Sequence, residues 1–168
     1  MKQSVASTVK AVISLLCLLG FFVVPASAEE YAALKGVQAV KTIFDFRDGD
    51  TESALIHLKL VHDTYKDQAI QSISKKPEFV VVFMDVSVLL LSSNREKFTS
   101  EDKNRLEEFD KTIKAMAQDG IRLEVCMFAS KLLGVKPETI APEIHQVGNG
   151  WIASLGYQRQ GYAVIPAC

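Results

Sequence analysis

The spacing of apolar positions changes several times along the chain, and each change marks an element. Val37 to Phe46 carries Val37, Ala39, Val40, Ile43, Phe44 and Phe46 and closes on Arg47-Asp48-Gly49-Asp50, which predicts a first strand ending in a turn. From Thr51 to Ser72 the period becomes helical, with Ala54, Leu58, Val61, Tyr65 and Ala69 three or four residues apart and Asp50 or Thr51 placed to cap the start. Phe79 to Met84 is an unbroken apolar run behind Pro77, as in a strand covered on both faces. A turn at Asp85 and a short helix over Val86 to Leu91 follow. Thr99-Ser100-Glu101-Asp102 reads as a capping box, Leu106, Phe109, Ile113 and Met116 trace the apolar face beyond it, and Gly120 stops that helix.

Ile121 to Val125 predicts the next strand, Met127 to Leu133 a short helix ended by Gly134, and Pro137 and Pro142 bracket a turn-rich connection. Gly148-Asn149-Gly150 is a tight turn before a helix over Trp151 to Arg159, and Tyr162 to Ile165 is a last strand before Pro166. Strands alternating with helices predict a layered α/β domain with a mainly parallel sheet. In such folds reactive groups gather beyond the carboxyl ends of the strands. Asp45 to Asp50, Asp85 and Cys126 occupy those positions.

The ends of the chain set its compartment and size. Lys2 and Lys10, the apolar stretch Ala11 to Val24 and the small-residue pattern Pro25-Ala26-Ser27-Ala28 form a cleavable export signal over residues 1–28. That stretch is shorter than the ~20 residues needed to span a bilayer, so no stable membrane anchor is expected after cleavage. Residues 29–168 then form one domain, exported to the periplasm or secreted. Both signal lysines leave with the signal and no acidic residue does. Cleavage therefore leaves 17 basic against 20 acidic residues, a balance that excludes the concentrated basic face of a nucleic-acid binder. Cys126 and Cys168 remain; in an oxidising compartment they can pair, but a domain of this size does not need the bond.

Gly120-Ile-Arg-Leu-Glu-Val-Cys126, Gly134-Val135, Gln146-Val-Gly-Asn-Gly-Trp151 and Tyr157-Gln158-Arg-Gln160-Gly161-Tyr162 together resemble the DsrE/DsrF-like proteins. Phe44-Asp45-Phe46 and Val80-Val-Val-Phe-Met-Asp85 are compatible with the same family, so the likeness covers most of residues 29–168. The resemblance implies a flavodoxin-like three-layer fold, a homo-oligomer (trimer or hexamer), and in some relatives a cysteine that takes up sulfur as a persulfide. Cys126 matches that cysteine. Its partners would be a sulfur donor and acceptor thiols or proteins.

The residues themselves admit plainer roles. Cys126 stands where a strand turns into a helix, and the unpaired N–H groups of a helix start favour a thiolate; packed beside Val125 and Met127 it is a small apolar residue. Asp85 either orients a ligand or caps the following helix, the cap being favoured. His145, read as lying in a loop near Asn149 and Trp151, serves as an acid or base only if the fold brings it to Cys126. Trp151 lines a pocket with Tyr157 and Tyr162 or packs against another subunit. Gly148 and Gly150 read as turn residues. His57 and His62 are five apart, on different faces of a helix, so no metal site is expected. No phosphate loop, nucleophile elbow or dinucleotide fingerprint occurs, and no cofactor is expected.

Three functions are consistent with this pattern. The first is sulfur or persulfide handling through Cys126, as a sulfurtransferase or sulfur carrier. The second is a non-catalytic binding or assembly module with Cys126 packed, and the third a thiol redox protein using Cys126 with Cys168.

Overall fold

The computed structural model describes residues 31–168; the export signal expected over residues 1–28 lies outside the described residues. Its elements in chain order are β1 (Lys41–Phe46), α1 (Thr51–Lys66), α2 (Gln68–Ile73), β2 (Glu78–Phe83), α3 (Ser100–Gln118), β3 (Arg122–Cys126), α4 (Met127–Leu132), β4 (His145–Val147), α5 (Gly150–Arg159) and β5 (Ala163–Ala167), with a 3₁₀ segment over Asp85–Leu91. The five strands form one parallel sheet in the order β4-β3-β2-β1-β5. Helices flank it in a three-layer α/β arrangement consistent with a flavodoxin-like fold.

Side chains alternate across the sheet, so register decides which residues meet which helix. Phe46 and Phe83 are register partners and both lie against Phe109 of α3, with ring centroids 6.3 and 6.2 Å away. Tyr65 of α1 meets Phe79 at 5.3 Å on the same side. Leu106, Phe109, Ile113 and Met116, the expected apolar stripe of α3, are all buried. The chain steps from β1 to β4 in one direction and returns through α5 to β5 beyond β1. Right-handed crossovers therefore put α5 on the opposite face. Tyr157 of α5 bonds Glu124 of β3 there, which explains why β2 is apolar on both sides.

Polar contacts tie α1 to α3 where the capping box was expected. Asp102 N–H donates to Thr99 Oγ1 at 3.1 Å, Thr99 N–H donates to Asp102 Oδ2 at 3.2 Å, and Thr51 Oγ1 donates to Asp102 Oδ1 at 2.6 Å. At the other end His62 Nε2 lies 2.6 Å from Asp119 Oδ2.

The structure departs from the sequence expectations in four places. The helix expected over residues 51–72 breaks at Asp67, whose side chain accepts the Ala69 N–H at 2.7 Å and starts α2 anew. β1 begins at Lys41, because pairing with β2 begins at Lys41 opposite Glu78. The connection after α4 holds a three-residue strand, β4, too short to show a period. Finally β5 runs through Pro166, which an edge strand tolerates. Arg47 N–H donates to Ala167 O, so Ala167 faces β1 and its neighbour Pro166 turns its missing donor outward.

Candidate functional site

The strands end together on one rim. In register, the row formed by Phe46, Phe83, Val125, Gln146 and Ala167 is the last fully paired one. Cys126 comes one residue later, with Val147 opposite it on β4. Arg122, Glu124 and Cys126 share the face under α5.

Cys126 is 5 % exposed. Its Sγ accepts the backbone N–H of Gly150, the first residue of α5, at 3.2 Å. Asn149 caps that helix, its Oδ1 accepting the Trp151 N–H at 2.9 Å, so the chain reaches the sulfur with its N–H groups already aligned. The contact is possible only because residue 150 has no side chain. A Cβ there would come within 2.6 Å of Met84 Sδ and 3.1 Å of Cys126 Cβ, whereas one on Gly148 would meet nothing within 4 Å. Gly150 is thus a close-approach glycine rather than only a turn residue. Ser130 Oγ donates to the Cys126 carbonyl at 3.1 Å and holds the start of α4 in place.

The other expected site residues do not converge on the sulfur. Asn149 reaches it only indirectly, by organising the helix start. Trp151 points away and is 69 % exposed. His145 is not in a loop but in β4, exposed, and paired in register with Glu124 rather than Cys126. Asp85 is exposed at φ 57°, and the 3₁₀ segment after it has Met84 as its flanking residue with no side-chain cap. The cap role expected for Asp85 is therefore absent; Ser87 Oγ instead donates to the carbonyls of Met84 and Phe46, at 2.6 and 2.9 Å.

Cys168 lies at the end of β5 and is exposed; both cysteines are free. Three strand spacings of ~4.8 Å separate β3 from β5, about 14 Å, against the ~7 Å limit for a disulfide. Neither the pairing nor the two-cysteine redox role fits this geometry. His57 and His62 pair separately, with Asp48 and Asp119, and the described residues hold no group of three or more metal-ligating side chains. No described helix is long and apolar enough to cross a membrane.

Two residues next to this site escaped the sequence reading. Met84 packs against Gly150 on the side of its Cα where Cys126 Cβ also lies. Glu124 is 2 % exposed in the middle of β3, where its Oε1 accepts from Arg122 Nε and from Tyr157 OH at 2.6 Å. Burial, reinforced by that carboxylate, pushes the Tyr157 phenol up to about 12. A lone acid inside an apolar strand was the available signal for Glu124.

A model of the DsrE/DsrF-like family matches residues 25–167. The chain belongs to this family. Solved structures repeat the fold at low identity. MTH1491 of Methanobacterium thermoautotrophicum, a protein of unknown function, is 16 % identical with a TM-score of 0.59, over 76 % of this chain and 98 % of that one. The ychN protein of E. coli is 9 % identical with a TM-score of 0.53, over 77 % of this chain and 98 % of that one. An uncharacterized protein of Aquifex aeolicus (strain VF5) is 22 % identical over 128 residues, 76 % of this chain. The chain spans 56 % of that protein's length. The family to which the chain belongs is a sulfur-relay-associated one.

Proposed function

We propose that this DsrE-like protein carries sulfane sulfur on Cys126 between a donor and an acceptor thiol. The observation that supports the reading is the N–H of Gly150 aimed at Cys126 Sγ from the start of a ten-residue helix. A sulfur anion at that point meets both a hydrogen-bond donor and the positive end of the helix. In the transfer, the Cys126 thiolate attacks the outer sulfur of a persulfide or polysulfide. A new S–S bond forms at Cys126, the old one breaks, and its electron pair leaves on the donor sulfur. The acceptor thiolate repeats the step in reverse. Because Cys126 is 5 % exposed, a local opening beside Sγ that keeps the Gly150 N–H in place must precede the donor's arrival.

Export and self-association complete the proposal. Residues 1–28 are removed on export, leaving Glu29 as the amino terminus. Trp151, Ile152 and Leu155 on the outer side of α5, and Phe128 and Leu132 on α4, are 59 to 75 % exposed. α4 starts against the loop before α5, Phe128 N–H donating to Gly148 O. Trp151, Ile152 and Leu155 together form the kind of exposed apolar patch that marks a contact between chains. The occupant is a second copy of this chain, in the trimer or hexamer that the family resemblance implies.

Intact mass spectrometry of the protein secreted from its own cells tests the central step. After exposure to polysulfide, the wild type gains one sulfur on a chain beginning at Glu29, and Cys126→Ser gains none. The same small uptake by both overturns the carrier role. It would favour the non-catalytic binding or assembly module, a reading supported by the 5 % exposure of Cys126.

A further inference from the structure

α5 lies over β3 with little apolar burial to hold it there. Gly150 is its one buried residue; Ala153, Ser154, Gly156 and Tyr157 are half-buried and the others exposed. Packing of an apolar face is what ordinarily fixes a helix in a protein, so the placement of α5 depends more than usual on its polar contacts. Two of these reach the same face of β3. Gly150 N–H donates to Cys126 Sγ at 3.2 Å, and two turns further along the helix Tyr157 OH donates to Glu124 Oε1 at 2.6 Å. The two helix positions are separated by a rise of about 10.5 Å, and Glu124 and Cys126 by ~7 Å of strand. One anchor alone would leave α5 a pivot at the sulfur. A pair of anchors fixes its tilt as well.

The anchor at Glu124 is the firmer of the two. Its carboxylate is 2 % exposed and is held from the other side by Arg122 Nε, and a hydrogen bond to an ionised group is about twice as strong as a neutral one. Burial pushes the Tyr157 phenol up to about 12, so at neutral pH the hydroxyl keeps the proton it donates. We propose that Tyr157 is a positioning residue for sulfur uptake, its bond to Glu124 holding α5 at the tilt where the Gly150 N–H points at Cys126 Sγ. The inference rests on the carrier reading. Tyr157 acts through the helix and not on the sulfur: when the structure opens beside Sγ, the second anchor keeps α5 from swinging, and the sulfur anion keeps its donor.

Tyr157→Phe keeps the ring and removes the hydroxyl. By NMR of the isotope-labelled protein, the Gly150 amide proton of this variant is expected to resonate part-way toward its position in Cys126→Ala, where the acceptor is gone. It should also exchange with solvent at least about fivefold faster than in the wild type, and uptake of sulfur from polysulfide, followed by intact mass spectrometry, should slow by a similar factor. Glu124→Gln is the conservative rescue: its carbonyl still accepts from Arg122 and Tyr157, so Gly150 exchanges as in the wild type. Glu124→Leu has no acceptor and repeats the effect of Tyr157→Phe. Circular dichroism verifies that each variant folds, and Tyr157→Phe alone decides the matter should Glu124→Leu fail to do so. An unchanged Gly150 amide in Tyr157→Phe, wild-type uptake by that variant, or equal losses in Glu124→Gln and Glu124→Leu overturns the proposal. The amide measurement requires no sulfur. A wild type that takes up none therefore sinks the carrier role, while the hold of Tyr157 on Gly150 is still decided by the amide.

Discussion

Replacing Gly150 by alanine would put a carbon 2.6 Å from Met84 Sδ and 3.1 Å from Cys126 Cβ, well inside ordinary contact. Met84 can yield because it is flexible, but the strand bearing Cys126 cannot move without disturbing its pairing with β2 and β4. Gly150→Ala is therefore expected to cost about 1–3 kcal/mol of stability in urea unfolding, the usual penalty for overpacking. Met84→Ala in the same chain should return part of that loss, since it removes the atoms the new methyl meets. Independent, additive effects of the two substitutions would refute the contact. Cys126 itself was legible from its place at a strand end, since the strand-to-helix change is written in the apolar spacing. Gly150 and Met84 were not, because a close approach between two chain segments leaves no trace in either segment alone.

At the level of elements, the corner where α5 turns into β5 is held by phenols. Tyr157 and Tyr162 meet edge to face with centroids 5.0 Å apart, and Tyr162 OH donates to Glu78 Oε2 at 2.6 Å. Burial, then the neighbouring carboxylates, push both phenols from the ordinary value of 10.0 up to about 12. A raised value means that the folded state holds the phenolic protons more tightly than the unfolded chain. The resulting stabilisation is intact below pH ~10, declines above it and is gone beyond ~12. Thermal melts across that range should show the melting temperature falling, with a smaller fall in the double variant Tyr157→Phe, Tyr162→Phe. An equal fall in both proteins would place the alkaline sensitivity elsewhere. The long amphipathic helices and the buried strands were legible because they repeat their period over many residues. β4 was not, because three residues opposite β3 are defined by their partner and not by their own pattern. The break at Asp67 was missed for a related reason: the apolar stripe continues across it, and only the carboxylate's bond to Ala69 N–H marks the new start.

At the scale of the whole molecule, the proposed association of copies rests on the exposed apolar groups of α4 and α5. Placing a charge in their midst, as in Trp151→Glu with Ile152→Glu, is expected to reduce the assembly to single chains in sedimentation velocity, while circular dichroism stays unchanged. A single-chain wild type, or an assembly indifferent to both charges, would move the interface to another surface. The layered architecture was legible from the alternation of strands and helices, because each crossover needs a helix between parallel strands. The pairing of Cys126 with Cys168 was a reasonable option on composition, but sheet order separates them by two whole strands.

The outward-turned imide nitrogen of Pro166 has a consequence for growth beyond a closed assembly. β5 offers its outer edge without a donor at that position, and on the far side β4 is only three residues long. A neighbouring backbone finds no adequate ladder on either flank. The missing donor on β5 and the three-residue length of β4 therefore weaken strand addition at either flank.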